Sequence, residues 1–404
     1  MKKYFYLDAA GAIATNILAV AFPLLTIPWI VGGCGVEQYG ILALSQAITA
    51  VAAIFVEGGS NAASNVRYAS LVQPVLIRVV IVSHTSFKLV NFLFTLPVLI
   101  GVAYLTSNFI LISLLPILLA EVFQPYALCA RLGFSHIVAM STFGGRLLSL
   151  ILVYFSTVRG DGIQILAFEL ALGLLVANLI AYMYGVFSIG VWGGQWGGKR
   201  AVIRYISFWK RIKWFGVSRG LGAIKERMAI LFSAVIFDTV AVAILDVVLK
   251  IVNAINSPLF IVSNHFLLWA NRINDEVFFK WLSFWLILAS CSTAVVLSFL
   301  SAELLGYFGI DLLAEYEPFS FIYFSVIPTF ISAVVGNYYL LKNGLVRRFV
   351  ESGVVGFFVY MTFLLVSFLL GGAGSVMFFV IAFFAGQISE GVYRLFFGWK
   401  YVAR

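Results

Sequence analysis

Apolar runs of about twenty residues recur from one end of the sequence to the other, and they limit the possible folds more than any other feature. An α-helix rises 1.5 Å per residue, so about 20 apolar residues cross roughly 30 Å of hydrocarbon. Because 62% of the residues are hydrophobic and only 11% are charged, the composition excludes a soluble domain. The runs predict an all-α integral membrane protein with twelve transmembrane helices, at 9–31, 39–57, 86–105, 107–127, 138–158, 162–186, 215–237, 239–262, 281–301, 318–341, 349–370 and 374–396.

The distribution of Lys and Arg predicts the orientation. With the N-terminus inside, 22 of the 26 Lys and Arg residues fall in cytoplasmic segments or at span ends, among them Lys88, Arg146 and Arg394. The predicted outer segment "AELLGYFGIDLLAEYEP" instead carries only acidic charges. The positive-inside rule therefore predicts that both termini are cytoplasmic.

The longest interruption between spans is "WGGQWGGKRAVIRYISFWKRIKW", which mixes basic and aromatic residues. Trp and Lys anchor helices at headgroup depth, which favours an interfacial linker over a nucleic-acid surface. We expect a first six-helix lobe at 1–190, a linker at 191–214 and a second six-helix lobe at 215–404. The stretches "GAIATNILAVAF" from residue 11 and "GAIKERMAILFS" from residue 222 show a weak internal similarity, a faint sequence echo that fits this division.

Polar residues form stripes on two of the predicted helices. At 100° per residue, one face of the eighth span carries Asp246, Lys250, Asn253, Ser257 and Asn264. The second span has a similar stripe that includes Gln46 and Glu57. Each charge at the centre of a lipid-facing helix costs about 2.5 to 3.5 kcal/mol, so we expect these residues to face a hydrated central cavity between the two lobes.

An alternative is that these charges neutralise one another. Asp246 and Lys250 are spaced i,i+4, and Glu226 has cationic neighbours in sequence. Pairing leaves surplus cations, however, because Lys225 and Arg227 also lie in the seventh span. These two residues are about 200° apart on a helix, so only one of them points squarely into a lumen.

The sequence contains neither a metal motif nor an enzymatic motif. Three cysteines and three histidines are scattered without ligand spacing. The turns "RGDG" and "GGAGS" use glycine for backbone geometry. We expect no catalytic residues, no metal and no cofactor.

The stretch 16–69, and within it "GVEQYGILALSQAIT", resembles the opening of Wzx-type O-antigen flippases, the polysaccharide transporter branch of the MOP exporter superfamily. The stretches 121–155 and 226–260 are also similar to this family. The resemblance implies a MOP/MATE-like fold and a flippase that moves an undecaprenyl-pyrophosphate-linked oligosaccharide to the periplasmic leaflet of the bacterial inner membrane. Alternating access driven by a proton or sodium gradient would move it, and a polysaccharide polymerase with its chain-length machinery would be its partners.

The resemblance also implies roles for particular residues. Lys250 takes the place of a cation in the family's eighth helix, and Glu226 that of an acid in its seventh. Arg67 and Arg146 fit cytoplasmic-side arginines. The chain departs from the family at Gly32 and Gly33, where relatives often carry an arginine.

The predicted site therefore has two sets of residues. The substrate-binding cations are Lys250, Arg227, Lys225, Arg67 and Arg146. The polar and ion-coupling candidates are Asp246, Glu226, Glu57, Glu169, Asn253, Ser257, Asn16 and Gln46.

Three other functions remain open. A MATE-type multidrug exporter would bind cationic drugs in an acidic, aromatic chamber, and the surplus of cations argues against it. A lipid II flippase shares the cationic lumen but is expected to carry more arginine in its first two helices. A membrane polysaccharide polymerase is expected to have a larger outer domain.

Overall fold

The computed structural model describes residues 2–58, 60, 74–124, 134–189, 220–221, 224–225, 227–273, 276–310, 314–335, 340, 345–369 and 376–402. Within them the chain is helical, with short turns between the helices. The α-helices are α1 (Lys2–Cys34), α2 (Val36–Glu57), α3 (Pro74–Leu105), α4 (Ile110–Ser113), α5 (Leu115–Val122), α6 (Ser135–Arg159), α7 (Ile163–Ile189), α8 (Arg227–Ile236), α9 (Thr239–Ile273), α10 (Glu276–Phe299), α11 (Ser301–Tyr307), α12 (Val326–Val335), α13 (Val346–Leu369) and α14 (Val376–Val402).

Within the described residues, eight helices are long and apolar enough to cross a membrane, namely α1, α2, α3, α6, α7, α9, α13 and α14. A ninth span is formed if α10 and α11, which are bent by 68° at Leu300, are counted together. Helical structure also occupies part of the remaining predicted spans, through α4 with α5, α8, and α12. The predicted all-α membrane fold is confirmed, and a twelve-helix architecture is consistent with it.

The predicted span 318–341 differs from a regular helix at its start. Residues Ala314–Ser325 form a 3₁₀-helix that passes into α12. With three residues per turn, Phe319 and Ile322 fall on one buried column, whereas Phe321 is exposed. Phe319 packs edge-on against Phe379 of α14 at 6.0 Å between ring centroids. The three-residue turn of the 3₁₀-helix therefore keeps Phe319 and Ile322 on the side that faces the core.

The chain divides into two compact units. One comprises Met1–Phe22 and Gly32–Arg227, and the other comprises Pro23–Val31 and Met228–Arg404. In the first unit α2, α3 and α5 pack together, and α7 packs against both α5 and α6. In the second, α14 packs against α13 and α12, and the 3₁₀-helix packs against α9 and α10. The lobe bounds predicted from the sequence stay a prediction, and the linker at 191–214 lies outside the described residues.

Each unit contains one helix pair that crosses on two glycines. In the α6–α7 pair, a Cβ on Gly145 would collide with the carbonyl oxygen of Gly173 and come within 2.7 Å of Ala177 Cβ. In the α13–α14 pair, a Cβ on Gly356 would lie 2.8 Å from the carbonyl oxygen of Gly386. Small residues let helix backbones approach closely, which is a common basis of helix association in membranes.

The two crossings share one register. Gly145, Gly173, Gly356 and Gly386 are each the eleventh residue of their helix. The interval from Gly145 to Gly356 equals the interval between the two "GAI" stretches of the sequence. The faint sequence echo therefore has a structural counterpart in this pair of crossings.

Candidate functional site

One ion pair of the second unit lies on α9. Every residue from Ala241 to Leu249 is buried, and Asp246 is 2% exposed. One turn later, Lys250 Nζ donates to Asp246 Oδ2 at 2.6 Å while its side chain stays 19% exposed. Asn253 follows, partly exposed. The predicted i,i+4 pairing is present, and the Lys250 side chain remains partly accessible.

A second buried ion pair joins α3 to α5 in the first unit. The Lys88 side chain is fully buried, and its Nζ lies 3.2 Å from Glu121 Oε1 and 2.8 Å from the Glu121 backbone oxygen. Sequence reasoning counted Lys88 among the cytoplasmic cations and did not consider Glu121. The sequence contained a sign of this pair: Lys88 and Glu121 are each the only charged residue of their predicted span, the two spans are consecutive, and the two charges are opposite.

A third ion pair lies near the end of α14. Arg394, which is 7% exposed, pairs with Glu390 one turn earlier at 2.5 Å. The Arg394 guanidinium also donates to Ser352 Oγ and to the backbone oxygen of Ser332, each at 2.8 Å. These contacts tie α14 to α13 and α12, so Arg394 has a structural role that its place at a span end did not indicate.

Arg146 differs from these three cations. It is the twelfth of the 25 residues of α6, in the middle of that span and deeper than the sequence analysis expects. Its guanidinium carbon lies 4.9 Å from the centre of the Phe22 ring. Within the described part of the chain it forms neither a hydrogen bond nor an ion pair, and its Nε is buried without an acceptor. Arg146 is therefore a cation at membrane depth without a counter-ion in the part of the chain that the structure describes.

Glu169, on α7, is an acidic residue without a cationic partner among the described residues. Its Oε1 accepts a hydrogen bond from Ser156 Oγ at 2.6 Å, whereas its Oε2 is buried without a donor among the described residues. Its backbone oxygen accepts a bond from Ser149 Oγ at 2.9 Å. Arg146 and Glu169 thus belong to the same glycine-crossed helix pair.

The other predicted residues are dispersed. Lys225 is buried, Arg227 begins α8 and is half-buried, and Gln46 and Glu57 are half-buried on α2. Of the predicted site residues, Asp246 and Lys250 are the pair for which the structure gives a direct side-chain contact. Arg67 and Glu226, and the side chains of Asn16 and Ser257, lie outside the described residues.

Comparison with solved structures identifies the fold. An inward-facing multidrug resistance MATE family transporter of the MOP superfamily superimposes with a TM-score of 0.65 at 12% identity, over 96% of this chain and 99% of that one. A MOP superfamily transporter from Pyrococcus furiosus, described as having a binding pocket of reverse polarity that suggests a different function, gives 0.64 at 12% identity over 100% of this chain and 96% of that one. The eukaryotic MATE transporter AtDTX14 gives 0.52 at 12% identity, over 98% and 95% of the two chains.

The sequence matches no protein-family model and no curated protein. At 12% identity the structural likeness concerns the fold. The chain has the fold of MOP superfamily transporters.

Proposed function

We propose that the protein is a flippase that carries an undecaprenyl-pyrophosphate-linked oligosaccharide from the cytoplasmic to the periplasmic leaflet. The fold of MOP superfamily transporters supports a membrane transporter, and the sequence resemblance to Wzx-type flippases supports the substrate class. The single observation that carries the choice of an anionic substrate is Arg146, a cation in the middle of a span without a counter-ion among the described residues.

The contrast with three other enclosed cations gives this observation its weight. Lys88, Lys250 and Arg394 each lie against a carboxylate, which offsets the cost of holding a charge away from water. Among the residues that the structure describes, Arg146 has only the face of Phe22. Ionisable residues inside a membrane span are retained mostly for function, and an arginine without a carboxylate is suited to an anion supplied by the substrate.

The chemistry of arginine suits a diphosphate headgroup. The planar guanidinium presents a fork of N–H donors that matches phosphate geometry, and it stays charged at every physiological pH. The aromatic face of Phe22 holds one side of that plane and leaves the donor edge available. A multidrug exporter that binds cationic drugs would gain nothing from this cation.

The test replaces Arg146 and follows the lipid-linked sugar. Because hydrogen bonds to charged groups contribute about 1.5 to 3 kcal/mol, Arg146→Gln is expected to lower the translocation rate by about 10- to 100-fold. Arg146→Lys should lose less, since it keeps the charge and loses only the fork. The measurement is the share of lipid-linked oligosaccharide in the cytoplasmic leaflet of cells that rely on each variant.

Arg347→Gln is the matched control, because Arg347 is 91% exposed and pairs with Glu351 on the surface of α13. Normal translocation by Arg146→Gln, at a normal protein level, would refute the role of this cation. Efflux of a cationic dye by the wild-type protein, without any effect on the lipid-linked sugar, would favour the multidrug exporter.

A further inference from the structure

The acidic residues of the membrane spans differ in their partners, and this difference ranks them as proton carriers. Glu121, Asp246 and Glu390 each pair with Lys or Arg. Glu351 pairs with Arg348 at 2.7 Å. Glu37 and Glu57 lie at the two ends of the span Val36–Glu57, whereas Glu169 lies inside the span Ile163–Ser188 and forms no ion pair among the described residues.

The surroundings of Glu169 suit an acid that changes protonation state. An ionised carboxylate has about four acceptor sites, yet one oxygen has only the Ser156 hydroxyl and the other is buried without a donor. A desolvated anion so poorly satisfied is costly unless it takes up a proton. Ser156 can serve both states, because a hydroxyl donates to a carboxylate and accepts from a carboxylic acid.

On the helix pair α6–α7, Arg146 is the cation that lies at membrane depth together with Glu169. Arg159, the last residue of α6, and Asp161, two residues after it, act on Glu169 with opposite signs. The charged residues on the other elements packed against α7 are acidic or already paired, namely Glu37 and Glu57 on α2 and Glu121 on α5.

Packing holds Arg146 and Glu169 in a fixed relation. Gly145, beside Arg146, crosses Gly173, which lies one turn from Glu169. Ser149, three residues after Arg146, donates to the Glu169 backbone oxygen at 2.9 Å. The Glu169 carboxylate is held at Ser156, ten residues after Arg146 on α6, so the two charges are separated by about 15 Å along a pair whose backbones are in contact.

We propose that Glu169 is a proton-binding residue whose protonation raises the affinity of Arg146 for a lipid diphosphate. When Glu169 is ionised, its charge offsets part of the positive potential at Arg146, because charges inside a low-dielectric span interact over long distances. When it is protonated, this offset is lost and Arg146 attracts the anionic headgroup more strongly. Linkage then requires that headgroup binding also favours proton uptake. This inference rests on the proposed function, because it assigns a proton site to the same headgroup site.

The first experiment measures the proton on Glu169 without any substrate. Infrared spectroscopy of the purified full-length protein at neutral pH should show the carbonyl stretch of a buried carboxylic acid. Glu169→Gln should remove this band, and Glu303→Gln, which changes an exposed acid on α11, should leave it. An unchanged band in Glu169→Gln would overturn the assignment, whatever the substrate of the protein.

The second experiment measures binding of farnesyl diphosphate as the probe, with farnesol as the uncharged control. Between mildly alkaline and mildly acidic pH, wild-type affinity should rise by about fivefold or more beyond the titration of the probe itself. Glu169→Gln should bind tightly throughout, and Glu169→Asp should keep the pH dependence. Equal pH dependence in wild type and Glu169→Gln would overturn the inference. Absence of probe binding to the wild type, with the infrared result as expected, would instead count against the proposed function.

Discussion

At the scale of single residues, the membrane spans contain two kinds of charge. Lys88, Lys250 and Arg394 each have a carboxylate at 3.2 Å or less. The carboxylate offsets the free-energy cost of holding the cation away from water. Arg146 and Glu169 share one helix pair but have no such partners among the described residues. Paired charges are neutralised within the protein, whereas unpaired ones are available to a substrate or a proton.

Lys250 combines both properties, because it binds Asp246 and is also 19% exposed. Lys250→Ala leaves the buried Asp246 carboxylate alone, which is expected to cost about 3 to 5 kcal/mol of stability and to stop transport. The double variant Asp246→Asn with Lys250→Gln should recover the protein level, since both charges leave together. It should still not transport, because the headgroup contact is lost. Full recovery of transport in the flippase assay would mean that the pair is only structural.

The sequence allowed part of this residue-scale description to be predicted. The Asp246–Lys250 pair follows from i,i+4 spacing on one helix, a relation that sequence contains directly. The Lys88–Glu121 pair joins two helices, and its geometry depends on how α3 and α5 pack. The depth of Arg146 was misjudged because a cation in an apolar run is easily assigned to the nearest loop.

At the scale of elements, apolar run length predicted where helices lie, and glycine determines how closely two pairs of them pack. The predicted bounds 138–158 and 162–186 lie close to Ser135–Arg159 and Ile163–Ile189. The bend between α10 and α11 and the 3₁₀ turn before α12 were not predicted. Both arise from local backbone geometry and packing, to which an average over a twenty-residue window is insensitive.

The glycine crossing gives a prediction with a control on the neighbouring residue. Gly145→Ala places a methyl group against the Gly173 backbone and Ala177, so we expect a loss of about 1 to 3 kcal/mol in stability. Gly144→Ala points into open space and should be neutral, or stabilising by up to about 1 kcal/mol through helix propensity. Thermal unfolding of the purified variants in detergent distinguishes them. Equal effects of the two substitutions would contradict the close crossing.

At the scale of the whole molecule, the chain repeats one packing device in two units. The α6–α7 crossing and the α13–α14 crossing place glycines at the same helix position, in the same order along the chain. The buried charges do not repeat: Arg146 and Glu169 lie on the first pair, whereas Glu390 and Arg394 neutralise each other on the second. The glycine crossing brings two helices close together in both units. Of the two crossed pairs, the first carries charges without an ionic partner among the described residues, namely Arg146 and Glu169.

Orientation in the membrane is the property of the whole molecule that the charge distribution predicts most directly. Most Lys and Arg residues fall on one side in the predicted topology even when Lys88, Arg146 and Arg394, which lie within spans, are set aside. Both termini should therefore be cytoplasmic and the turn at Gly160 should be outside. Alkaline phosphatase is active only outside the inner membrane. Green fluorescent protein that is exported unfolded does not fluoresce, so it is bright only when it stays inside. A fluorescent-protein fusion after Arg404 should therefore be bright and the phosphatase fusion there inactive, whereas a phosphatase inserted at Gly160 should be active. An active phosphatase after Arg404 would reverse the topology, and the proposed direction of transport would then have to be reassigned along with it.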